Sequence, residues 1–207
     1  MASLINLNKT VGTVVQAMTL VQSLTKVISA AVDVSKKLAG TVHVKFGRTA
    51  AASHGATVFA VENDPVGDGT SWQPVYTWTT NLHGSAPTTR DLSADAAAGA
   101  TGIKMATGSL NSANSTPIAI YNSTTPSKSE IGFLVKDQQD PSLSWSLNTL
   151  QSANAVHVYS FAETWAIPLD FAGMNSIRFV ADNVWNAVAS PILVQAVIVT
   201  TDAASAT

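Results

Sequence analysis

The chain has 207 residues, 12% of them charged, with a formal net charge of −2 and no cysteine. Those figures exclude disulfides, thiol catalysis and cysteine-ligated zinc, and they remove any global electrostatic case for nucleic-acid or membrane binding. Abundant Ala, Ser, Thr, Val and Asn suit one β-rich domain, with room for one appendage, that buries much of its surface; they do not suit a disordered chain.

Residues 1–9 read as an extended arm with no continuous apolar core of the kind a secretory signal needs. From Thr10 to Ala31, apolar residues recur at steps of three and four: Val14, Met18, Val21, Leu24 and Ile28. That spacing predicts one face of a helix, with Thr10 or Thr13 as its cap. A stripe this wide needs cover, from the domain's own sheet or from another subunit. These five residues are therefore the candidate interface, and the expected organisation is an arm and helix over 1–31 followed by a β-domain over 32–207.

Asp33–Lys37 reads as a turn, and Val42, Val44 and Phe46 alternate with His43 and Lys45 as a half-buried strand does. Strands are expected at 57–62 and at 72–78, joined by the turn cluster Asn63–Gly69. Pro74 places the second of these at an edge or a strand start. Residues 81–117, rich in small residues, read as a long surface excursion. Further strands are expected at 117–121, 130–136 (Ile131, Phe133 and Val135 alternating), 144–150 and 155–161.

The stretch from Glu163 to Val199 organises the rest. Ile177, Phe179 and Ala181 alternate with Arg178, Val180 and Asp182. The following run, Ile192–Val199, is apolar on both faces except at Gln195, so this strand should be central, covered by another sheet or by a partner chain. The expected inward set is Val42, Val44, Phe46, Phe133, Ile177, Phe179, Ile192, Val194 and Ile198. VDVSKKLAGTVHVKF and LDFAGMNSIRFVADN share an apolar-Asp-apolar start, a turn and an alternating strand, which points to two equivalent positions in a sandwich. The fold class predicted is mainly β: an antiparallel β-sandwich of jelly-roll type with one N-terminal α-helix.

Motifs for chemistry are thin. His43, His54, His83 and His157 show no ligand spacing. The DPVGDG segment superficially resembles a calcium loop but lacks its acidic spacing, and turn formation explains it better. No G-x-S-x-G or phosphate loop occurs. Glu163 near Trp165 and Trp72 near Tyr76 could line a sugar groove, although core or interface packing is the better account of such aromatics. No catalytic residue, metal ligand or cofactor is assigned.

The D-V-S and D-F-A entries to alternating strands, the T-S-W-Q-P-V strand after a DGT turn, the A-A-A-G-A-T-G-I-K stretch and the final PLD…IRFVADN…VQAVIVT hairpin carry a family likeness. Over roughly residues 30–200 the chain resembles small β-sandwich virion proteins of tailed bacteriophages. That resemblance implies a virion component, on or between major capsid subunits or in the neck or tail; the first reading is a non-enzymatic component at the capsid surface, assembled in the host cytoplasm. It would be a capsid decoration (cement) protein that binds the major capsid protein and itself, as a homo-oligomer such as a trimer, with no nucleic-acid or membrane partner. A neck or tail (head–tail connector) component is the alternative reading, and a carbohydrate-binding module a further one.

Overall fold

The structure is a computed structural model and describes residues 7–9, 12–22, 24–49, 57–80, 88–160, 162–184 and 191–203. Its strands, in chain order, are β1 (Leu7–Lys9), β2 (Thr13–Val21), β3 (Lys26–Ile28), β4 (Val32–Asp33), β5 (Ala39–Arg48), β6 (Val58–Asp64), β7 (Gln73–Thr79) and β8 (Thr89–Asp91). They continue as β9 (Pro117–Asn122), β10 (Glu130–Lys136), β11 (Ser142–Leu143), β12 (Val156–Tyr159), β13 (Ala162–Asp170), β14 (Ser176–Asp182) and β15 (Ile192–Ala203). Every strand pairing is antiparallel.

Among the described residues three five-stranded sheets form, with sandwich-like packing between them. In the central sheet, β15 pairs along one edge with β5, and β5 with β13; β1 and β2 share the other edge of β15. One outer sheet has the order β3–β14–β6–β7, with β4 also on β14. The second runs β11–β10–β9–β12–β8. The central sheet is covered on both faces by sheets of the same chain, so of the two kinds of cover expected for Ile192–Val199 it is other sheets that supply it. On one face Val42, Val44, Phe46, Ile192, Val194 and Ile198 meet Phe59, Val61, Ile177 and Phe179 of the first outer sheet. On the other, Met18, Ala162 and Leu193 meet Ala119, Ile131 and Tyr159 of the second. Gly47 permits that second contact, because a Cβ there would lie 2.7 Å from the Ala119 Cβ.

The two similar segments occupy related places. Asp33 Oδ1 accepts from the Ser35 N–H at 2.9 Å, and Asp170 Oδ1 accepts from the Ala172 N–H at 3.0 Å. Each aspartate thus starts a side-chain-capped turn. The following residues, Val34 and Phe171, are both buried. The first arch carries the chain from the first outer sheet (β4) to the central one (β5); the second carries it from the central sheet (β13) to the first outer one (β14). The arches bond each other, Val34 N–H to Asn175 O at 2.9 Å and Phe171 N–H to Leu38 O at 3.1 Å.

Five sequence expectations need correction. Among the described residues the N-terminal helix is absent, Thr10 lying outside them: residues 13–21 form β2 on β15, and residues 26–28 form β3 on β14, so this segment is woven into sheets that lie mainly beyond residue 32. The reason lies in the register. Nine residues of β2 span seven of β15, through two register shifts that each insert a residue in β2. Bulges of this kind break strict alternation. With cover on both sheet faces, they leave apolar residues at helix-like steps.

Phe133 is 40% exposed, not inward. Along β10, Ile131 meets the central sheet, but by Phe133 the two sheets have diverged, while Leu134 packs on the opposite face. The terminal strands β14 and β15 are not a hairpin, because they lie in different sheets. Residues 144–150 form no strand, and the 92–110 part of the long excursion is more than surface. Its Leu92, Ala96, Ile103, Met105 and Leu110 close a core over Ile118, Ile120 and Val158.

Candidate functional site: an inter-sheet wedge and an aromatic edge

The five candidate interface residues do not share a face. Val21 is in the core between the central and first outer sheets, and Met18 packs toward the second outer sheet. Leu24 is 65% exposed in a turn with φ 57°, and Ile28 is exposed on β3. Val14, also exposed, joins Met18 at the rim of a cleft.

That cleft opens where the central and second outer sheets diverge. One part, a hollow of about 300 Å³, is bounded by Lys45 and Thr164 of the central sheet and by Phe133, Ser144, Trp145 and Ser146 opposite. It continues past Asn148 into a shallower hollow of about 440 Å³ beside Val14, Met18, Lys128 and Gln195. The strands supply one wall, and the irregular 144–150 segment supplies the other.

Glu130 holds that segment in place. Its side chain is buried, and its carboxylate accepts five hydrogen bonds: Trp145 Nε1 at 3.0 Å, Asn148 N at 2.9 Å, Asn148 Nδ2 at 3.0 Å, Thr149 N at 3.2 Å and Gln151 Nε2 at 3.2 Å. A buried carboxylate is tolerated only with such saturation. Gly132, two residues on, lies under the Trp145 indole; a Cβ there would come within 2.4 Å of the ring. Glu130→Ala is expected to cost about 2–3 kcal/mol, since several donors lose a shared acceptor while solvent reaches some of them. Urea unfolding of the variant measures this, and an unchanged midpoint would show that the 144–151 segment is held by other contacts. From sequence, Glu130 was only the first residue of a strand, because its partners lie 15 to 21 residues away.

The second concave feature lies at the open side of the packing between the central and first outer sheets, where β13 and β7 are the outermost strands. Tyr76, Trp78 and Thr79 of β7 and Trp165 and Ile167 of β13 line a hollow of about 260 Å³. The Tyr76 and Trp78 rings are 5.5 Å apart, and those of Trp78 and Trp165 5.9 Å. Beneath them Phe59 contacts Trp78, Trp165, Phe46 and Phe179. Trp165 thus joins Tyr76. Trp72 does not; it stacks under the Arg178 guanidinium, which is 4.1 Å from its ring centroid and paired with Glu62 at 2.7 Å. Burial raises the Glu163 carboxyl above its ordinary value. Its ionisation therefore opposes folding, and the contribution weakens as pH rises through and above the ordinary carboxylate range.

The carboxylates of DPVGDG are used as turn caps. Asp64 accepts from the backbone N–H groups of Val66, Gly67 and Gly69, and Asp68 from those of Thr70 and Ser71 and from the Ser71 hydroxyl. The Ser71 hydroxyl, followed by the two backbone donors, holds the Asp68 carboxyl far below its ordinary value. His43 and His157 lie in strands β5 and β12, while His54 and His83 fall outside the described residues. Strand pairing places His157 opposite Asp91, with Nδ1 2.6 Å from Oδ1 on an exposed surface. That proximity has no trace in sequence spacing. Among the described residues no group of three or more His, Asp or Glu side chains converges.

Comparison with protein-family models, with curated proteins and with solved structures finds no match.

Proposed function

We propose that this chain is a non-enzymatic structural protein of a tailed-bacteriophage virion. In this reading it is a capsid decoration protein with a jelly-roll-like sandwich, which binds the assembled major capsid shell and associates with itself. The observation that carries this reading is the outer edge of β7. Among the described residues β7 pairs only with β6. Val75 and Tyr76 are 39% and 45% exposed along it, and of its seven residues Trp78 alone is not in the exposed class. Natural proteins protect an edge strand with charge or cover, because free backbone donors and acceptors template pairing with another chain. Here residues 73–79 carry no charge, and Pro74 alone interrupts the donors. A sparsely charged chain with such an edge suits a subunit whose surface is meant to be covered in an assembly. Binding at many equivalent sites would stabilise a shell by mass action.

Recombinant protein is expected to bind purified capsids in many copies per particle and to raise the temperature at which they release their contents. A copy number limited to one ring would instead place it at a neck. Val75→Lys and Tyr76→Lys, each on an exposed side chain, are expected to leave the unfolding free energy within about 0.5 kcal/mol of the parent, while weakening self-association or capsid binding at least about tenfold. Unaltered association in both variants, measured by sedimentation and particle binding, would remove β7 from the interface.

A further inference from the structure

We propose that the wedge between the central and second outer sheets is a binding site for a neutral oligosaccharide, with the Trp145 indole as its stacking platform. Trp145 sits in a segment without regular structure, yet its ring is fixed. One side lies against Gly132, where any side chain would collide with it, and its Nε1–H is tied to the buried Glu130 carboxylate. The ring is partly buried against the core around Leu134, Leu143 and Leu147, and fixing its remaining surface by a glycine cradle and a saturated buried carboxylate is a costly way to fill space. It is the arrangement expected of a preorganised contact surface, in which neither ring rotation nor loop ordering has to be arrested on binding. Phe133, 40% exposed, adds a second aromatic surface to the same hollow.

The remaining lining supplies the other half of sugar recognition. The hydroxyls of Ser144, Ser146 and Thr164 and the Gln195 amide face no hydrogen-bond partner among the described residues. Hydroxyls and amides both donate and accept, matching ligand hydroxyls, which do the same. Lys45 donates to the Ile131 carbonyl at 3.1 Å and keeps further protons free. Across the wedge Lys45 and Lys128 stand against one carboxylate, Glu130, which leaves a single net positive charge, and the other polar groups of the lining are uncharged. Aromatic surface for the C–H face of a pyranose, with uncharged two-way hydrogen-bonding groups around it, defines a neutral saccharide. The hollow of about 300 Å³ lies at the lower end of the roughly 300–1,000 Å³ range of ligand sites. Its continuation past Asn148 leaves room for a chain of sugars. This site is separate from the Tyr76–Trp78–Trp165 edge and does not depend on the assembly role proposed for β7.

The test is an array of neutral gluco-, galacto-, manno- and N-acetylglucosamine oligomers, with sialylated glycans and heparin fragments alongside, probed with the whole chain. Titration of the best neutral oligomer follows by calorimetry. Trp145→Ala and, from the opposite wall, Gln195→Ala are expected to weaken binding about tenfold or more and about threefold, respectively. Tyr76→Ala should leave it unchanged. Gln195→Ala lies outside the Glu130 network, so it keeps the test decisive if Trp145→Ala fails to fold. Absence of binding to any neutral oligomer at millimolar concentration would overturn the proposal. So would binding confined to acidic glycans, or binding lost with Tyr76→Ala and retained with Gln195→Ala.

Discussion

Removal of residues 1–31 is expected to yield insoluble or unfolded protein. The deletion takes away β1, β2 and β3, strips one whole edge from β15, and removes Met18 and Val21 from two different cores. It also exposes Ile192, Leu193 and Val194, now fully covered, along a long unpaired apolar edge. Such an edge is an aggregation site in its own right. Losing two buried side chains of this size costs several kcal/mol, about 2–5 for a Met truncation and a comparable amount for the Val. That approaches the whole stability of a typical domain, roughly 5–15 kcal/mol. Expression of a chain starting at Val32, followed by solubility and circular dichroism, decides the matter. A soluble, cooperatively folding product would show that β15 can find cover without the N-terminal strands.

Phe179→Ala is expected to lower stability by about 3–5 kcal/mol, the usual scale for a buried Phe. The ring is 1% exposed and lies 5.9 Å from Phe59 and 6.4 Å from Trp78, centroid to centroid. It sits in a two-sheet core whose strands are pinned in register on both sides: β14 pairs with β6 over seven residues and with β3 and β4 beyond. Sheets locked in this way cannot close over the lost volume, so the cavity term should be near its upper range. Chemical denaturation with tryptophan fluorescence would measure it, since Trp78 reports on the same cluster. A loss below about 1 kcal/mol would mean that the aromatic cluster repacks freely. That result would also weaken the case for a rigid edge at Trp78 and Trp165.

The amino-acid sequence alone determined the mainly β class, most strand positions, the turn chemistry and the central placement of β15. Each of these rests on a local signal. Alternation at Val42–Phe46 and Ile177–Ala181 is a two-residue period. The acidic turns at Asp33, Asp64 and Asp170 are closed by their own neighbouring N–H groups. A strand apolar on both faces can only lie between two layers. Even the paired arches were visible, because the same local solution was written twice.

Only the tertiary structure decided the remainder. In Val14–Val21, bulges and two-sided cover produce the spacing of a helix, and the difference appears only against the register of β15. Phe133 alternates correctly with its neighbours, yet whether its face is covered depends on how far two sheets stay together. The Glu130–Trp145–Gly132 platform, the Asp91–His157 pair and the meeting of Tyr76 and Trp78 with Trp165 join residues from separate strands and loops. Their geometry is fixed by sheet order and the angle between layers, quantities set by the packing of the whole chain and carried by no short segment of it.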